Sequence, residues 1–364
     1  MFQPGSNPDA RSAGREKSFK RSMAGLLASC AALSAMCASP TTVYARRSWH
    51  PTTPTTPTTP TTPTTPTTPS SSSPPAAVAA AGFNTETFAT VSNFSTQTVD
   101  VGLTYGPGYQ WYFANFFGQV PQSATTTLNN DGSATVADFG ANENTTLSSA
   151  AQISSAPYFR GTAFGGGGYF EATLAFNAAT INTSTGWPAW WSMALEHLVG
   201  LPGQQWTGQA SGYTHYIEPD FMEKEDTNST DFGGAVHDWY GVYLTTCSGQ
   251  VYCNYATPYN IANRVLPAAT NFSQYHRYGL LWVPATATKS GSITYFFDGV
   301  QVGSTINYTQ YTNQAPVPTA TTPWTFGVID KQHLVLILGT GASTPMQVQS
   351  VTVWQASTAN NMYN

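Results

Sequence analysis

The chain has 364 residues, of which only 9% are charged, with 13 Lys and Arg against 18 Asp and Glu. That length suffices for one large domain or two ordinary ones. So few basic residues exclude a binder of nucleic acid or anionic membranes, which needs clustered Lys and Arg.

Residues 1–45 open with Lys17, Lys20 and Arg21, continue through the apolar run Met23–Ala38 and end in "VYA" at Ala45. This order reads as a secretory signal. The run is shorter than the ~20 apolar residues of a membrane span. The mature protein is therefore expected outside the cell, at its surface or in a periplasm. Six Pro-Thr-Thr repeats from Pro51 to Thr68 follow, then "PSSSSPP". They have nothing to bury, so 46–82 reads as a semi-rigid polyproline spacer, whose twenty-odd repeat residues would span roughly 60–70 Å at ~3.1 Å each.

Residues 83–361 read as one domain. In "YFEATLAF" (Tyr169–Phe176) Phe170, Ala172, Leu174 and Phe176 alternate with Glu171 and Thr173, the period of a half-buried strand. "SITYFFDGVQVG" places Asp298-Gly299 between two β-rich runs, a strong hairpin signal. "HRYGLLWV", "HLVLILGTG" and "MQVQSVTVWQ" are further strands, and no long stretch has helical periodicity. The expected fold is all-β, a large antiparallel sandwich or jelly roll. "FGGGGYF" (Phe164–Phe170) lacks a following Lys or helix start, so it reads as a loop and not a phosphate cradle. "CSGQVYC" holds Cys247 and Cys253, expected to form a disulfide in an oxidising compartment. Two Cys without a nearby His cannot complete a tetrahedral metal shell, so no metal is expected.

The chemistry concentrates in "YIEPDFMEKED" (Tyr216–Asp226), which carries five acidic residues in a charge-poor chain. On a regular strand Glu218 and Asp220 share a face with residue 222, but 222 is Met and the carboxylate comes one later, at Glu223. One extra residue around Phe221-Met222, a β-bulge, would return Glu223 to that face. Glu218 and Glu223 would then lie about 13 Å apart at Cα, at ~3.3 Å per residue. Side chains leaning together by ~4 Å each leave roughly 5 Å between carboxyls. Paired carboxyls about 5–5.5 Å apart suit retaining glycoside hydrolysis. Glu225 and Asp226 read as solvated charges.

"EPDFME" (Glu218–Glu223) resembles the E-x-D-x-x-E signature of glycoside hydrolase family 16, in its laminarinase-like, bulge-containing branch. "GGYFEATLAF", "GWPAWWSM", "QYHRYGLLWVP" with "ITYFFDGVQV", and "MQVQSVTVWQ" resemble further stretches of that family in the same order. The resemblance implies a concanavalin-like jelly roll with a carbohydrate cleft on its concave sheet and no cofactor. By position it implies Glu218 as nucleophile, Glu223 as general acid/base and Asp220 as the residue tuning both. The chemistry agrees: the attacking group must be ionised and the acid must keep its proton. The family's usual Asp in the last strand is Gln349 here, and Pro219, which has no N–H for a ladder, requires a local gap.

Flat sugar faces pack on aromatic rings, so Trp187 and Trp191 are expected in the cleft, while Trp190, of opposite strand parity, belongs to the core. "HDWYG" resembles a family loop in which a His borders the cleft, implying substrate contacts for His237 and Trp239. His215 reads as a strand neighbour and not a ligand. The expectation is a secreted, monomeric, endo-acting retaining hydrolase of a neutral β-linked polysaccharide, β-1,3- or mixed-linked glucan. The alternatives are a transglycosylase, an agar-type galactan hydrolase, or a non-catalytic carbohydrate-binding jelly roll. Residues 83–355 hold six basic residues (Arg160, Lys224, Arg264, Arg277, Lys289, Lys331) against sixteen acidic ones. That balance disfavours a sulfated substrate, which needs Arg or Lys to satisfy its oxygens.

Overall fold

The structure, a computed structural model, describes residues 73–364 except 115, 117–120, 138–146, 156, 183–186, 200–212, 228–230, 248–249, 253–256, 261–269, 312–325 and 340–343. A short helix α1 (Ala76–Ala80) precedes β1 (Thr85–Val91), β2 (Tyr112–Phe113), β3 (Thr126–Leu128), β4 (Ala134–Val136), β5 (Leu147–Ser148) and β6 (Ala150–Gln152). Then come β7 (Phe159–Ala163), β8 (Gly168–Phe176), β9 (Ala189–Ala194), the one-turn helix α2 (Leu195–Leu198), β10 (Tyr213–Glu223), β11 (Gly233–Cys247) and β12 (Gln250–Tyr252). The chain closes with β13 (Thr257–Asn260), β14 (His276–Val283), β15 (Gly291–Phe297), β16 (Val300–Tyr308), β17 (Leu334–Gly339), β18 (Met346–Gln355) and β19 (Met362–Tyr363).

These strands form an antiparallel β-sandwich. One sheet runs β16-β15-β14-β8-β18-β4-β3, with β1 beside β18; the other runs β12-β11-β10-β9-β17-β5-β2, with β13 beside β11. A small third sheet runs β19-β7-β6, and just past β7 the Phe164–Leu334 bridge joins the chain to the start of β17. Period-2 alternation sends one set of side chains from each sheet into the shared interior. Phe170, Ala172, Leu174 and Phe176 of β8 meet Trp190, Ile217, Phe221, Val236, Leu336 and Leu338 from the opposing sheet. The Asp298-Gly299 turn forms as expected. Both residues have positive φ, 50° and 80°, the twist that joins Phe297 to Val300 across a two-residue hairpin.

Two expectations are corrected. β8 was read as half-buried, but all nine of its residues are buried. Its outward face is covered because Val78, Phe83, Leu281, Phe296 and Trp354 pack with Tyr169 into a second apolar layer. For the same reason the spacer does not extend to residue 82. Val78 of α1 is wholly buried in that layer, so the folded body begins within the assigned spacer. It also ends past 361, because Met362 and Tyr363 pair with β7. Among the described residues no helix is long and apolar enough to cross a membrane. Cys253 lies outside the described residues, as does the Cys247 side chain, and so does the expected disulfide.

Candidate active site

The acidic stretch is β10, a strand interior to its sheet with β11 on one side and β9 on the other. Its register against β11 pairs Glu218 with His237 and Asp220 with Ala235, then slips before Glu223 meets Gly233. Against β9, Asp220 faces Trp191 while Met222 faces Trp190, so two residues are used for one step. The expected bulge is therefore present at Phe221-Met222. Both residues point into the sandwich core, where each is fully buried.

The energetics explain why the strand accepts it. Burying a Phe or Met contributes roughly 1.5–3 kcal/mol each, against about 1 kcal/mol net for a lost ladder hydrogen bond. Regular alternation would instead drive the Glu223 carboxylate into the core, which is far more costly. With the bulge, Glu223 returns to the outer face that already carries Glu218 and Asp220.

Pro219 is accommodated by a gap. A strand residue points its N–H and C=O to one side, and Pro219 O accepts from Ser192 Oγ of β9 at 3.3 Å. The missing N–H therefore falls on the β9 side, where the ladder reaches only as far as Asp220. Beyond the gap a side chain takes over: Gln332 Oε1 accepts from Ile217 N at 3.0 Å and Gln332 Nε2 donates to His215 O at 2.9 Å. A buried amide thus continues the ladder that proline interrupts.

The outer face is aromatic. Trp187, Trp191 and Trp239 share an apolar cluster with Tyr216, Met193 and Ile337, while Trp190 packs edge-on against Phe221 in the core. Trp187 Nε1 donates to Glu223 Oε1 at 3.0 Å, and Trp239 Nε1 donates to Glu218 Oε2 at 2.6 Å. His237 Nε2 lies 2.9 Å from Asp220 Oδ2. All four expected aromatic and His positions therefore sit on the carboxylate face, with Trp187, His237 and Trp239 in contact with the carboxylates themselves. His215 faces the opposite way and pairs with the buried Asp238, Nε2 to Oδ1, at 2.5 Å. Lys224 also leaves the carboxylate face: it is buried, pairs with Asp226 and Asp231, and lies over the Phe272 ring.

The three carboxylates are only 2–4% exposed. Burial raises the pKa of Glu218 to about 8; the Asp220 and Glu223 charges add to this, and His237 and the Trp239 N–H oppose it. Glu218 was expected to be the ionised member of the pair, and burial works against that ionisation. The reason is desolvation, which a sequence pattern does not report. Among the described residues no group of three or more His, Cys, Asp or Glu is arranged to hold a metal.

Sequence reasoning missed Tyr216, His197, Ser192 and Gln332. Tyr216 shares strand parity with Glu218 and could have been found. The other three arrive from separate elements.

No family profile and no characterised protein sequence matches the chain. Among solved structures it is similar to an endo-1,3-β-glucanase from Streptomyces sioyaensis, with 16% identity over 77% of this chain and 97% of that one, TM-score 0.42. LamA from Z. galactanivorans, in complex with laminaritriose and laminaritetraose, shares 13% identity over 75% of this chain and 100% of that one, TM-score 0.43. A legume lectin-like domain from Entamoeba histolytica shares 9% identity over 63% and 86%, TM-score 0.34. Sandwiches of this kind host several functions, so function is argued from the site.

Proposed function

We propose that the protein is an exported, endo-acting retaining glycoside hydrolase of a neutral β-linked polysaccharide, β-1,3- or mixed-linked glucan, with residues 1–45 directing its export. The observation that carries this reading is the bulge at Phe221-Met222, which brings Glu218, Asp220 and Glu223 onto one aromatic face. A carbohydrate-binding sandwich without catalysis has no use for two buried carboxylates flanking a third.

In this reading Glu218, once ionised, attacks the anomeric carbon, and Glu223 protonates the departing glycosidic oxygen. The C–O bond breaks as the glycosyl ester to Glu218 forms. Glu223, now a carboxylate, then takes a proton from water, which hydrolyses the ester with net retention. Asp220, held by His237, lies between the two glutamates and its charge disfavours ionisation of Glu218. Trp191 adds its ring to the buried apolar cluster of the same face.

The test is product analysis of the purified protein on a panel of β-glucans and galactans, with the first-formed anomer read by proton NMR. Laminarin or mixed-linked glucan cleaved internally with the β-anomer appearing first is the expected result. Inversion at the anomeric carbon would overturn the mechanism, and binding without cleavage would favour a lectin. Longer oligosaccharides appearing in place of hydrolysis products would favour a transglycosylase.

A further inference from the structure

Trp239 was expected to contact substrate, but its position on the sheet gives it a different task. Resting on the retaining reading above, we propose that Trp239 is a positioning residue that holds the Glu218 carboxylate through its indole N–H, and that Tyr216 and His197 hold Trp239.

Indole Nε1–H can only donate, and here it donates to Glu218 Oε2 at 2.6 Å. Rotation of a carboxyl about its last torsion is broad and roughly two-fold. Anchoring one oxygen fixes that rotation and leaves the other for bond formation. The anchor is itself held by a column of rings. Tyr216 is the direct cross-strand partner of Trp239, and their rings stack 6.3 Å apart at 18°. His197, brought in by α2, lies on Tyr216 at 3.5 Å and 9°. The His237 ring stacks beside Trp239 at 5.9 Å, and Trp239 is only 5% exposed. A ring so covered does not serve as a sugar platform.

The hydrogen bond also has an electrostatic consequence. It favours the carboxylate form. The groups facing Glu218 are Asp220 and Glu223 from its own strand and His237 and Trp239 from β11. Two of these four, His237 and Trp239, oppose burial, and Trp239 does so without a charge that could titrate away.

Trp239→Phe keeps an aromatic ring and removes the donor. The Glu218 midpoint, followed without substrate by NMR of carboxyl-labelled Glu and assigned with Glu218→Gln, is expected to rise by about one pH unit. This readout needs no turnover, so it decides the matter even if the glycosidase reading fails. On a glycan substrate, kcat should fall about tenfold or more with KM within twofold, and the acidic limb of the pH profile should move up. Added to Glu218→Ala in the presence of azide, the same change should cost less than twofold. An unchanged midpoint, or a raised KM with kcat intact, would overturn the proposal and return Trp239 to substrate contact. If Trp239→Phe fails to fold by circular dichroism, His197→Leu tests the column with the indole in place. A several-fold loss of kcat at constant KM is expected, and no change in kcat would overturn the clamp.

Discussion

The Trp187 indole donates to Glu223 Oε1 across 3.0 Å, from two residues ahead of β9 to the last residue of β10. With the bond from Trp239 to Glu218, both outer carboxylates are capped by a tryptophan, one from β11 and one from the approach to β9. The two acids are thus held separately, as two distinct roles require. Glu218→Ala is expected to abolish turnover on every substrate. Glu223→Ala should retain the first step on aryl glycosides with activated leaving groups, which need no general acid. Steady-state and burst kinetics on matched natural and activated substrates check this; equal losses on both would refute the division of roles.

The bulge has a stability signature. Consecutive residues on a regular strand face opposite ways, so only one of Phe221 and Met222 would cost much when truncated. Here both are wholly buried in the same core. Phe221→Ala is expected to lose about 3–5 kcal/mol and Met222→Ala about 2–5 kcal/mol. Denaturant titration of both variants decides it; a loss below about 1 kcal/mol at either position would contradict the register.

The buried Glu218 links stability to pH. Its folded pKa of about 8 lies above the ordinary glutamate value of 4.5. The folded state therefore holds a proton that the unfolded state releases between those values. The stabilisation is complete below about 4.5 and is lost as pH rises toward 8, with a slope of up to about 1.4 kcal/mol per pH unit. Glu218→Gln should flatten that slope. In catalysis kcat/KM should climb through pH 8 as Glu218 ionises, whereas a fall through the same range would make Glu218 the acid.

Substrate charge should matter in one direction. The basic side chain nearest the carboxylates in sequence, Lys224, is buried and bound to Asp226 and Asp231. Arg277 is engaged across the other sheet with the Asp298 carbonyl. Neither is placed to receive a sulfate ester. Initial rates on laminarin and mixed-linked glucan are expected to exceed those on carrageenan at matched concentration. The opposite ranking would remove the neutral-substrate assignment.

The segment leading out of the spacer should act as structure. Phe83 and Val78 cover the outward face of β8 together with Tyr169, Leu281, Phe296 and Trp354. Phe83→Ala is expected to cost about 3 kcal/mol, measured by chemical denaturation. A spacer residue would show no effect. The carboxylate face lies on the other sheet, so activity at low temperature should persist.

Much of the site was legible because strand geometry is periodic. Glu218, Asp220 and Glu223 break a period of two by one residue, and only a bulge reconciles that break with a shared face. The same parity separates Trp191 from Trp190. The Asp298-Gly299 turn and the bounds of β14 and β18 followed from local chemistry just as directly. What remained hidden involves partners far apart in the chain. Gln332 repairs the ladder beside Pro219 from 113 positions away, a separation no local pattern carries. Part of the cover over β8 comes from Val78, which read as spacer, because an apolar side chain gains meaning only against the surface it buries. The Glu218 proton is decided the same way: sequence set the carboxylates side by side, but their charge depends on how much water the surrounding rings exclude, and exclusion of water is a property of the assembled fold.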